Sequence, residues 1–126
     1  MARVLGVGGV FFRARDPRAL GEWYRRWLGV PVAFPRGASF DPESLPANAA
    51  TVWAPFEEET SYLAPDRSFM FNLIVDDLDG ALAQVVDGGA TLADPIEEHE
   101  YGRFGWFVDP EGNKVELWQP PEAPPA

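Results

Sequence analysis

The sequence carries the same punctuation twice. Asp16-Pro17 precedes an apolar stripe of Leu20, Trp23, Tyr24, Trp27 and Leu28, which Gly29 stops. Asp76-Asp77 precedes a second stripe of Leu78, Ala81, Leu82, Val85 and Val86, which Gly88-Gly89 stops. Apolar residues at spacings of three and four mark a one-sided helix. An aspartate ahead of the stripe accepts from the orphan N–H groups of the first turn, and proline suits the first helical position. Leu20 and Leu78 stand 58 positions apart, Gly29 and Gly89 stand 60 apart, and few residues are identical between the halves. The repeat is one of pattern, and a pattern of this length selects paired structural modules.

Strand-forming runs flank each helix. In the first half they are residues 4–15, with a core at Gly9 to Ala14, then 30–34 and 51–56. In the second half they are 68–75, 90–92, 104–108 and 114–118. Residues 35–50 read as loop, Glu57-Glu58-Glu59 as a solvated turn, Tyr62 to Arg67 as a linker and 93–102 as an acidic loop. Asp109-Pro110-Glu111-Gly112-Asn113 has the composition of a tight turn. The expectation is an α+β fold of two βαβββ modules, about 5–63 and 68–120. They form one domain over 1–126, with mixed sheets, helices on the outer face and a frayed proline-rich tail at 120–126.

Charge and composition narrow the function. The chain has 126 residues and a net charge of −10, so nucleic acid and anionic membrane surfaces are poor partners. The charge is uneven: residues 1–36 hold seven arginines against two acids, and the remainder is strongly acidic. Such a surface attracts cationic ligands, or the two segments attract each other. There is no cysteine, which removes disulfides, thiolate nucleophiles and zinc fingers, and the one histidine is His99. No run approaches the ~18 apolar residues of a membrane helix, and no export signal is visible. A cytoplasmic location is expected.

Three stretches resemble the vicinal oxygen chelate superfamily, which holds glyoxalase I, extradiol dioxygenases and the fosfomycin and bleomycin resistance proteins. They are the opening strand with Asp16-Pro17, Trp23-Tyr24 and Leu28-Gly29; the run from Phe71 to Leu78; and the closing hairpin from Phe107 to Trp118. The resemblance spans about residues 5–120. It implies the paired-module fold, a small-molecule cleft and a homodimer in which modules of two copies complete each cleft. Metal-using members draw four ligands from the first and last strand of each module. Here those positions are Gly9, which has no donor; Met70, a soft thioether; the Thr51-Val52-Trp53 stretch, with no carboxylate; and Glu116, which fits. One ligand of four predicts no metal and no other cofactor.

Period-two alternation places Phe11 and Arg13 on one face of the first strand, Met70 and Asn72 on one face of the fifth, and Glu116 and Trp118 on one face of the last. With Trp53, these residues form the candidate pocket, and His99 and Tyr101 sit on a loop placed to cover it. Glu116 is the candidate catalytic residue, a carboxylate among aromatic strands that accepts a proton if unpaired. Each residue has a plainer reading. Arg13 pairs with Glu116, Asn72 satisfies a backbone group, Trp53 and Trp118 are core or dimer contacts, and His99 is merely exposed. Two functions therefore stand. One is a metal-free, glyoxalase-like protein with lyase or isomerase chemistry through Glu116. The other is a non-catalytic protein that sequesters a cationic or aromatic compound. A purely structural dimer is the third class.

Overall fold

In a computed structural model, residues 1–35 and 37–122 are described. Arg36 and the last part of the expected tail, 123–126, lie outside the described residues. The elements are α1 (Pro17–Leu28), β1 (Phe71–Ile74), α2 (Leu78–Asp87), β2 (Thr91–Leu92), β3 (Glu97–His99), β4 (Gly102–Val108) and β5 (Lys114–Gln119), with one 3-10 turn at Pro42–Ser44. None of the described helices is long and apolar enough to cross a membrane.

Both helices begin and end as the sequence predicts. Asp16 caps α1 by accepting from Ala19 N at 3.0 Å, and Asp77 caps α2 through Gly80 N at 3.1 Å. Gly29 closes α1 at φ 65°, a left-handed conformation that glycine adopts without steric cost.

The second half is a complete βαβββ module. The sheet order is β1-β5-β4-β2, with β1 parallel to β5 and the other pairs antiparallel. β3 also pairs with β4, so β2 and β3 are two pieces of one interrupted edge. The acidic run read as loop over 93–102 thus contains a strand. Its pairing with β4 overrides poor strand propensity, and charged residues suit an exposed sheet edge.

The core lies on one face of this sheet. Val115, Leu117 and Phe107 pack against Leu78, Ala81, Leu82 and Val85 of α2, with Trp23, Tyr24 and Leu28 of α1 behind them. Gly105 permits the close approach of helix and sheet, since a Cβ there would stand 2.9 Å from a Leu82 methyl. Four bonds tie α1 and its cap to this module: Trp23 Nε1 to Gly88 O at 2.8 Å, Gln84 Nε2 to Trp27 O at 2.7 Å, Tyr24 Oη to Asp109 Oδ2 at 2.8 Å, and Asp16 N to Glu111 Oε2 at 2.9 Å.

The strands expected in the first half do not form ladders within the chain. Residues 4–14 and 51–56 carry no regular secondary structure and are exposed apart from half-buried Ala14, and no backbone hydrogen bond joins them to other described residues. From 30–34 only the single bridge Val32–Ala38 survives. The reason is physical: an extended segment becomes a strand only when another backbone accepts its hydrogen bonds. The helical part of the module needs no such partner and is present.

Candidate functional site

Strand register builds the site on the sheet face opposite the core. Asn72 is aligned with Glu116 across β1 and β5, Trp106 with Glu116 across β4 and β5, and Phe104 with Trp118. Facing residues in a ladder share a side, so Asn72, Phe104, Trp106, Glu116 and Trp118 converge. Lys114 follows on the same face by alternation.

Glu116 lies at the centre and is 7% exposed. Its Oε1 accepts from Asn72 Nδ2 at 2.6 Å, and its Oε2 accepts from Trp106 Nε1 at 2.9 Å and from the Tyr62 hydroxyl. Three donors occupy most of the roughly four acceptor positions of a carboxylate. Burial of the ring, followed by the bond to Glu116, pushes the Tyr62 hydroxyl above its ordinary range, so Tyr62 keeps its proton and donates it. Lys114 Nζ donates to Tyr62 O at 2.8 Å and pairs with Asp94 at 2.9 Å. The Tyr62 ring stacks on Phe56 and meets Trp106 edge-on.

A second aromatic group continues along the same face. The His99 and Tyr101 rings stack with centroids 4.9 Å apart, and both present edges to Phe104. Phe104 lies nearly parallel to Trp118 at 6.2 Å, and Trp118 Nε1 donates to Tyr101 O at 2.9 Å. Glu97 approaches His99 at 3.3 Å on the rim.

Of the residues singled out in the sequence, Asn72, Glu116 and Trp118 meet on this face, with His99 and Tyr101 at its edge. Met70 is half-buried on the Asn72 side of its strand by alternation. Phe11 and Trp53 stand apart, 96% and 80% exposed, because their segments join no ladder in the single chain. Arg13 does not pair with Glu116. It lines a separate cavity beside the β4–β5 turn with Arg15, Arg67, Glu111 and Asn113. Asn72 donates to Glu116 rather than to a backbone group. Tyr62 and Trp106 were not among the sequence candidates. Alternation back from Glu116 through the hairpin carried the signal for Trp106, whereas nothing local distinguished Tyr62 from linker.

Glu116 supplies the one carboxylate among the family's metal-ligand positions. Gly9 offers no donor, residues 51–53 lie away from the sheet, and a metal at Glu116 would displace Asn72, Trp106 or Tyr62. Among the described residues no group of three or more His, Cys, Asp or Glu is placed to hold an ion.

One solved structure shows the same fold along nearly the whole chain, and two others are similar over part of it. A glyoxalase/bleomycin resistance protein/dioxygenase domain from Frankia sp. EAN1pec superposes with TM-score 0.58 at 18% identity, over 94% of this chain and 100% of that one. TnmS3, an antibiotic binding protein from Streptomyces sp. CB03234, is 33% identical over 43% of this chain and 45% of its own, with TM-score 0.38. A member of the same superfamily from Sphaerobacter thermophilus DSM 20745 is 34% identical over 39% of this chain and 40% of its own, with TM-score 0.35. The matched part thus spans less than half the length of these last two proteins. No curated protein matches the chain. The family model for the glyoxalase-like domain matches residues 9–118, and the chain belongs to that family.

Proposed function

We propose that this protein binds a flat aromatic or cationic organic molecule on the Glu116 face, without a metal ion and as a two-fold dimer. The observation that carries the reading is a buried carboxylate at the centre of an aromatic surface that runs from His99 to Phe56. Flat ligands stack on such rings, and a positive charge over indole or phenol gains about 0.5–2 kcal/mol. Glu116 supplies the counter-charge. Its three donors leave little of the carboxylate open to a reacting atom, which sets sequestration ahead of lyase or isomerase chemistry.

Proflavine, a flat organic cation, is the probe. It should quench tryptophan fluorescence and give saturable heat in calorimetry, and Glu116→Gln should weaken it about tenfold. Equal binding by wild type and Glu116→Gln, or no saturable binding, would sink the reading.

The dimer rests on the unpaired first half. Val4, Leu5, Phe11, Val52 and Trp53 are all at least 76% exposed. The outer edge of β1 carries no partner strand. A bare edge and a bare strand former are complementary, and the basic first segment opposes an acidic remainder. A second copy that covers these segments would bury well over the ~1,000 Å² of a specific interface and wall in an otherwise open face. Sedimentation at micromolar concentration should give twice the 13.9 kDa chain mass. A single-chain mass would contradict the dimer.

A further inference from the structure

The cavity beside the β4–β5 turn is a separate matter from the Glu116 face. It measures about 500 Å³ and is lined by Arg13, Ala14, Arg15, Arg67, Glu111 and Asn113. Three of the ten basic residues of a chain with net charge −10 meet here. We propose that this cavity is a second binding site, for a doubly charged oxyanion of the phosphate or phosphomonoester class.

The guanidinium groups keep N–H donors open for a ligand. Arg13 makes no hydrogen bond or ion pair with another described residue. The Arg15 side chain reaches Glu111 only through Nε, at 3.5 Å, and is 83% exposed, so both Nη groups are available. Arg67 is the fixed member. Its Nε donates to Asn113 Oδ1 at 3.2 Å and its Nη2 to Glu111 O at 3.1 Å, and Nη1 meets only the exposed Asp66. The turn therefore aims one guanidinium while two others approach from the segment before α1.

Two acids stand among these cations: Asp66 pairs with Arg67 and Glu111 meets Arg15, so Arg13 carries the charge left unpaired among the described lining residues. Glu111 Oε1 accepts from Arg15 N at 2.7 Å and its Oε2 from Asp16 N at 2.9 Å, so its carboxylate is committed to the start of α1. Those backbone donors hold its carboxyl below the usual range. Asp109 is committed to Tyr24, Glu111 N and Asn113.

Guanidinium forks match the paired oxygens of a phosphate, and bidentate bonds of this kind are roughly twice as strong as neutral ones. The acidic remainder does not prevent this, because at physiological salt a charge more than about 8 Å away is largely screened. The volume lies in the range of about 300–1,000 Å³ usual for small-molecule sites. It exceeds what one phosphate needs, which leaves room for the organic part of an ester.

The test is calorimetry at pH 8 with the full chain, using inorganic phosphate and phenyl phosphate at ionic strength fixed with chloride. Saturable binding at submillimolar to millimolar concentration is expected, weakened at least tenfold by Arg13→Ala. That variant removes no hydrogen bond or ion pair made among the described residues, and an unchanged Tm and sedimentation mass show that fold and assembly are kept. Arg67→Lys keeps the charge but loses the fork, and should bind severalfold more weakly. Tighter binding of phenyl phosphate assigns the site to an ester, and equal binding assigns it to the free ion. Phosphate affinity should not change when the protein is saturated with proflavine, and it remains measurable if proflavine does not bind. No saturable heat, or equal affinity in wild type and Arg13→Ala, would overturn the proposal.

Discussion

Asp109→Ala should lower folding stability by about 3 kcal/mol or more, a loss of roughly 10 °C in Tm for a chain of this size. Asp109 is 5% exposed. Its Oδ2 accepts from Tyr24 Oη at 2.8 Å, and its Oδ1 accepts from Glu111 N at 2.9 Å and Asn113 N at 3.0 Å. The Asn113 amide reaches both oxygens. Alanine strands all of these donors at once, and each buried unsatisfied group costs about 1–3 kcal/mol. Tyr24 suffers most: burial, reinforced by Asp109, pushes its hydroxyl above the phenol range, so it cannot ionise in compensation. Two controls separate the causes. Tyr24→Phe removes one donor together with its need and should cost about 1 kcal/mol. Asp109→Asn keeps an acceptor for the turn and should fall between. Urea denaturation of the three variants measures this, and an Asp109→Ala loss below about 1 kcal/mol would show that the turn holds without its carboxylate.

Glu116→Leu is the second large effect. Leucine fills the space but leaves the Trp106 indole N–H buried without an acceptor, together with the Asn72 amide and the Tyr62 hydroxyl. A loss of about 3 kcal/mol is expected in urea denaturation. Glu116→Gln behaves differently. Its carbonyl can still accept from Trp106 and Tyr62, and a flip of the Asn72 amide lets Asn72 accept from the new NH₂ group. The bonds persist and only their charge assistance is lost, so the cost should be about 1 kcal/mol. The pair of variants therefore separates structure from binding. Leucine should unfold the site, whereas glutamine should leave it standing with the charge removed. Equal losses from the two would mean that the charge itself, not the hydrogen bonding, holds Tyr62 and Trp106.

The second half of the fold was legible because its signals are local and agree. The stripe from Leu78 to Val85, the cap at Asp77, the turn from Asp109 to Asn113 and the alternation of Lys114 to Trp118 each point to the same arrangement. Register then carried Asn72 and Trp118 to Glu116. The first half was legible only where a helix could satisfy itself. Phe11 and Trp53 have strand-forming neighbours, but alternation says which face a residue takes only after some backbone has accepted that strand. Arg13 was set beside Glu116 by the same assumption and instead stands with Arg15 and Arg67. Tyr62 shows the converse limit. It lies in a stretch that reads as linker, and its importance comes from a carboxylate 54 positions away. The strand at Glu97–His99 was hidden by its charges, which weaken propensity but protect an edge.

The bonds between α1 and the second module also set an order of events in time. Trp23, Tyr24 and Asp16 find their partners 65, 85 and 95 positions further along the chain. On a ribosome, α1 emerges well before the turn that holds Tyr24 and Asp16. The apolar side of α1 waits for α2 and the sheet, and contacts of such long sequence separation close slowly. Until the second module has been made, this protein therefore presents a bare amphipathic helix and an apolar segment before it. That is the kind of surface that holdase chaperones engage and that neighbouring nascent chains can capture.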